Sequence, residues 1–159
     1  MTGGPARATL RTNYGAGIAA SLVAEAVFIV MVALVSWIRG MDPWTVARVP
    51  ASFLLGPAAV EPPGFALGDV LLGLGMHLVL GILVGSVYAA LLPRLGISPV
   101  AGGLITGATL YGLGFWMLPL LFPVWLAPFW LPPAGTVLQA LAHAVYGVIF
   151  GLAYRRFAR

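Results

Sequence analysis

Two apolar stretches of this chain carry the same pattern, His-x3-Gly-x3-Gly-x2-Tyr. It reads His77, Gly81, Gly85, Tyr88 in one and His143, Gly147, Gly151, Tyr154 in the other, and these are the only two histidines. Imidazole binds metals and carries protons near neutral pH. A carboxyl, Glu25, and a phenol, Tyr111, stand in two further apolar stretches. This set allows three kinds of chemistry. His77 and His143 can be the axial ligands of a non-covalent haem b, with Gly81 and Gly147 leaving room for the macrocycle. His77, His143 and Glu25 make a two-His-one-carboxylate set for one divalent metal. Alternatively, Glu25 and the two imidazoles can relay a proton or line a small-solute path. The bland alternative is structural: the same groups hydrogen-bond across helices and fix their register. Tyr111 and Gln139, one turn from His143, complete the polar set, Gln139 as a ligand-orienting or interhelical partner.

Other chemistries are excluded or unsupported. With no Cys there is no disulfide, thiolate ligand or thiol nucleophile. The sequence holds no P-loop, no dinucleotide fingerprint and no His-Glu-x-x-His. Its serines lie in no nucleophile-elbow context. No residue is assigned a catalytic role, and the expectation leans away from an enzyme.

The elements that must position these groups follow from composition. The chain has 159 residues, 61% hydrophobic and 8% charged, with a mean hydropathy of +1.03. A soluble domain carries about 25% charged residues, so most of this surface must face lipid. Four stretches are long enough to cross a hydrocarbon core of about 30 Å: Tyr14–Ile38, Gly68–Leu92, Pro99–Leu121 and Ala134–Tyr154. Barrel-type alternation is absent, so the expected fold is an all-α integral membrane four-helix bundle. The whole chain, 1–159, is one membrane domain.

All eight cations are Arg. Arg7, Arg11, Arg94, Arg155, Arg156 and Arg159 fall on one side of this topology, Arg39 and Arg48 on the other. The excess places both termini and the short middle loop in the cytoplasm. Arg at helix ends, not along one stripe, gives no nucleic-acid surface. The small-x-small signal at Ala24-Glu25-Ala26 lies inside an apolar run that continues to Ile38, which reads as a retained first helix.

The two histidine patterns extend into a repeat. Gly17, Ser21, Glu25 align with Gly103, Gly107, Tyr111, and Gly73, His77, Gly81, Gly85 align with Gln139, His143, Gly147, Gly151. This gives two parallel two-helix copies, 14–92 and 99–154, about a pseudo-two-fold axis along the membrane normal. Spacing by four puts each set on one helix face. Glu25, His77, Tyr111 and His143 each lie within about 5 Å of the midplane by rise per residue. Gly17, Ser21, Gly81, Gly85, Gly103, Gly107, Gly147 and Gly151 sit on the cytoplasmic side of that layer, so the inner half should pack tightly and a pocket should open outward. Tyr88 and Tyr154 are expected in the interfacial aromatic belt.

Two connections would roof that pocket. In the first, Asp42-Pro43-Trp44 reads as the N-cap and first turn of a short interfacial helix, bent or ended near Pro50. The second, with Trp125, Phe129 and Trp130 among five prolines, lies in headgroups or against another protein. The middle loop, Pro93 to Ser98, makes the second and third helices antiparallel neighbours.

The order of these features resembles a known group. A His-led helix (His77 to Leu92), a basic turn at Pro93-Arg94, a helix opening Pro99-Val-Ala-Gly-Gly-Leu and a second His-led helix ending Tyr154-Arg155-Arg156 look like the YagU-like family. These are small bacterial inner-membrane proteins of unassigned activity. The resemblance covers the chain from His77 onward, implies four membrane helices, and transfers no catalytic residue. The function expected is thus a non-enzymatic subunit or binding protein with a mid-membrane polar site for haem b or a metal. The alternative is proton or small-solute transport. The bland reading is an accessory subunit that docks on a larger complex, or on its own copies, through apolar loops and Gly-rich faces.

Overall fold

The computed structural model describes residues 12–61, 63–121 and 133–159. Arg7, Arg11 and the aromatic connection with Trp125, Phe129 and Trp130 lie outside the described residues. The rest is helical: α1 (Tyr14–Ile38), α2 (Thr45–Arg48), α3 (Ser52–Leu55), α4 (Leu67–Leu95), α5 (Pro99–Gly112), α6 (Leu118–Leu121) and α7 (Pro133–Phe157). A π-helical turn, Leu113–Met117, joins α5 to α6. Four helical stretches are long and apolar enough to span a bilayer, and the chain is a multi-pass membrane protein.

Local chemistry sets the helix ends. Asn13 caps α1 through its side chain, which accepts from Ala16 N at 3.0 Å. Ser98 does the same for α5, accepting from Ala101 N, with Pro99 in the first turn. The middle loop is shorter than expected. α4 runs through Pro93 to Leu95 and stops at Gly96, whose φ of 62° needs the left-handed freedom of glycine. At 29 residues, α4 is about 43 Å long, so it extends past a hydrocarbon core of about 30 Å.

Three antiparallel interfaces hold the bundle: α1 with α4, α5 with α7, and α1 with α7. The start of α1 and the end of α7 therefore lie at one end of the bundle, the terminal end. Here glycines carry the packing. A Cβ on Gly17 would overlap the Gly85 carbonyl oxygen, and one on Gly85 would overlap Gly17 in return. Gly103 and Gly147 meet in the same way, as do Gly151 and Pro99. The backbones thus approach closer than any side chain allows, which is how membrane helices gain dispersion energy without a hydrophobic effect. Between them Ala20, Ala24, Tyr88, Leu92, Phe150 and Tyr154 form the core.

Two expectations change here. Tyr88 and Tyr154 are core residues, 5% and 0% exposed, and not interfacial ones. Their rings pack edge-to-face with centroids 5.1 Å apart, and Phe150 lies 4.3 Å from Tyr88. Their place on the same helix faces as the packing glycines carried them inward.

The second concerns α4 and α5, which are joined by a tight turn but are not packed neighbours. They touch where Gly102 meets Tyr88 and Leu92, and where Tyr88 Oη donates to the Pro99 carbonyl at 2.5 Å. Beyond that apex they scarcely touch. A cleft of about 350 Å³ runs between them, lined by Leu83, Val87, Leu91, Ile105 and Leu113 among others. The glycine faces of these helices are spent on α1 and α7. The aliphatic faces left on the seam gain little from each other over lipid tails.

Candidate functional site

The polar groups gather where the tight terminal half ends. Glu25 of α1 faces His77 of α4, and Glu25 Oε1 lies 2.5 Å from His77 Nδ1. Both side chains are nearly enclosed, 10% and 12% exposed. The pair stands one step beyond the Gly17–Gly85 contact and beside Gly81, where a Cβ would meet Leu22 at 2.9 Å. Glycine at 81 therefore lets α1 come close enough for the bond to form.

The other ring nitrogen of His77 is also engaged. Nε2 lies 3.2 Å from the Val46 carbonyl oxygen. A carbonyl only accepts, so this contact puts a proton on Nε2 and leaves Nδ1 to share one with Glu25. With one proton on Nε2 and one between Nδ1 and Oε1, the pair is neutral overall. Loss or gain of either proton creates a net charge in an apolar bundle, where charge is expensive.

The Val46 carbonyl comes from α2, in the first connection. That connection packs onto α4, because Gly73 has no side chain to hold it off: a Cβ there would overlap the Ala47 carbonyl. Asp42 caps the turn as expected, accepting from Trp44 N at 3.0 Å and Thr45 Oγ1 at 3.3 Å. The helix proper starts at Thr45, two residues beyond Pro43. Arg48, counted from sequence on the outer side of the topology, is 1% exposed. It bonds Ala59 O and Gly64 O, each at 2.8 Å, and pairs with Asp42 at 3.6 Å and Asp69 at 3.8 Å. An arginine carries enough donors to bind all of these at once.

His143 has different surroundings. Its Nδ1 donates to the Gln139 carbonyl of its own helix at 2.8 Å. Gln139 thus serves through its backbone, and not through the side-chain amide. Three aromatic rings surround the imidazole edge-on: Phe28 at 4.8 Å, Tyr111 at 5.7 Å and Phe115 at 5.8 Å. Phe115 belongs to the π turn and stacks on Tyr111. A π turn shifts the faces of a helix out of phase, and such turns recur at functional sites.

The two histidines match in sequence but not in register. In the first helix pair His77 opposes Glu25. In the second, the residue against His143 is Gly107, whose missing Cβ leaves room for the His143 backbone. Tyr111 sits one turn further on, where its hydroxyl reaches Thr136 O at 3.4 Å. The expected four-residue layer is therefore a tight pair, Glu25–His77, beside an aromatic-lined imidazole.

Sequence reasoning missed two members. The Val46 carbonyl is a backbone group, signalled only by Pro50 four residues on. Tyr146 is the second: its hydroxyl lies 3.1 Å from Ser21 Oγ in a buried bond between α1 and α7. Tyr146 shares the His143 helix face at a spacing of three, which was the available signal. Ser21→Ala should destabilise the protein by about 1 kcal/mol by orphaning the Tyr146 hydroxyl. Adding Tyr146→Phe should cost less than the sum of the single changes, by about 0.6 kcal/mol. Unfolding of the four proteins in mixed detergent measures both.

The haem and metal readings can be tested on this geometry. Both His77 nitrogens are engaged, and the space at Gly81 and Gly147 is filled by Leu22 and by Gly103. With both nitrogens of His77 already bonded to protein atoms, the described residues do not fit a bis-His haem. Among the described residues no group of three or more His, Cys, Asp or Glu is gathered that could hold a metal. His77 and Glu25 meet, and His143 does not join them in a ligand set. Comparison with protein-family models, curated proteins and solved structures gives no match for this chain.

Proposed function

We propose that this chain is a small proton-transfer protein of a bacterial inner membrane, with both termini cytoplasmic. The Glu25–His77 pair is its exchanging site. The observation that carries this reading is the 2.5 Å contact between a carboxylate and an imidazole inside an apolar bundle. The pair holds its protons at no net charge, and any change in its protonation creates a charge that must be passed on. Hydroxyls follow it toward the terminal end. Ser21 lies four residues from Glu25 on α1, about 6 Å along the axis, and bonds Tyr146. A hydroxyl accepts one proton while releasing another, so in this proposal the pair and these hydroxyls form the relay. Past Tyr146 the glycine contacts and the Tyr88–Phe150–Tyr154 rings make the tightly packed terminal end, which a proton leaving by this route has to pass. Membership of the YagU-like group belongs to the same proposal and agrees with four membrane helices.

The test is proton flux in liposomes carrying an internal pH dye, driven by a potassium gradient with valinomycin. Glu25→Gln and His77→Gln should each lower the protein-dependent flux at least tenfold. Flux in both variants equal to that of the wild type would reject the proposal, as would no flux above empty liposomes.

A further inference from the structure

We infer that Pro50 and Arg48 are positioning residues for His77, acting through the Val46 carbonyl to hold the imidazole as its Nε2–H tautomer with Nδ1 turned to Glu25. In a continuous helix the Val46 carbonyl would accept from the N–H four residues on. That residue is Pro50, which has no N–H and whose ring crowds the carbonyl four residues back. The backbone nevertheless stays helical at Val49, with φ −52° and ψ −48°, a region disfavoured before proline. The turn thus keeps its shape and leaves one carbonyl without a backbone donor. His77 Nε2 stands 3.2 Å from that oxygen.

A free carbonyl orients a ring only if it is itself held still. Arg48, two residues beyond Val46, does this by tying the turn to Ala59, Gly64, Asp42 and Asp69. Asp69 belongs to α4, the helix that carries His77, so the ion pair fixes α2 against the ring it must meet. Gly73 permits the approach, with the Ala47 carbonyl in the place of a side chain. Asp42, Arg48, Asp69 and Gly73 are spread through the sequence, and their contacts hold the turn that carries this one backbone oxygen. The inference deepens the proton-transfer reading and rests on it for its purpose: with Nε2 capped by a carbonyl, exchange is confined to the Nδ1–Glu25 side.

The experiment is ¹⁵N magic-angle-spinning NMR of protein labelled at histidine and held in lipid bilayers. The chain has two histidines, so His143→Gln assigns the spectrum. Wild type should show one His77 population with Nε2 protonated. Pro50→Ala restores an N–H that competes for the Val46 carbonyl, and Arg48→Gln releases the turn. Each should replace the single population by a mixture in which the Nδ1–H form is at least a third. Pro50→Ala adds no bulk, so the test does not depend on Arg48→Gln folding. A wild-type ring protonated at Nδ1 and not at Nε2, or an unchanged His77 spectrum in Pro50→Ala, overturns the inference. Flux is read separately: a wild type that moves no protons yet shows the tautomer change rejects the function and keeps the positioning.

Discussion

Gly103→Val should unfold the second helix pair, with a loss of about 3 kcal/mol or more. The Cβ would overlap the Gly147 carbonyl oxygen and approach the Gly151 nitrogen at 2.9 Å. These are backbone atoms of α7, so no rotamer change relieves the clash and the helices must part. Parting them exposes the Gly107–His143 contact in the same ladder. The reverse substitution, Gly147→Val, should do equal damage, because its Cβ meets Gly103 O at 2.5 Å. Gly75→Ala is the control. Nothing lies within 4 Å of its Cβ position, so the change should be neutral or stabilise α4 by about 0.5–1 kcal/mol. Thermal unfolding in detergent, followed by circular dichroism, separates these outcomes. A Gly103→Val protein as stable as Gly75→Ala would mean that α5 and α7 do not pack through this ladder.

Glu25→Ala should cost about 3–5 kcal/mol, the range for removing one partner of a buried ion pair. It leaves His77 Nδ1 facing an apolar wall with no acceptor or donor. Glu25→Gln has the same shape and keeps an N–H that can donate to Nδ1, so it should cost only about 1 kcal/mol. The two variants thus divide the roles of the residue. Alanine removes the bond and the exchangeable proton together, while glutamine removes the proton alone. Equal stability losses in the two, measured by unfolding in mixed detergent, would show that the hydrogen bond contributes nothing to the fold.

The four spans were legible because each is an unbroken apolar run, and Tyr14–Ile38 is bounded as the sequence suggests. Other ends moved for local reasons. Pro93 is tolerated in the last turn of α4, which reaches Leu95. The π turn at Leu113–Met117 has no periodic signature in so uniformly apolar a stretch. Glu25, His77 and His143 stood out as ionisable groups in apolar surroundings, which composition alone reveals. Their pairing did not, because spacing within helices fixes faces and leaves the slide between helices open. A slide of one turn in the second pair, permitted by Gly107, separates Tyr111 from the place that Glu25 holds in the first. The burial of Arg48 was not legible for a similar reason: its partners include the Ala59 and Gly64 carbonyls, backbone groups that only the fold brings to it.

The contact between α1 and α7 joins two helix pairs whose other meeting line, α4 against α5, stays open. This has a consequence in the order of synthesis. Glu25, Val46, Arg48, Asp42, Asp69 and His77 all precede residue 96, so every partner of the polar pair exists once the first hairpin has entered the bilayer. The ribosome has then still to make the second hairpin, whose α7 docks on α1 and supplies Tyr146 to Ser21. The most costly polar groups are matched early, and the last helix to emerge closes an interface of small and aromatic side chains.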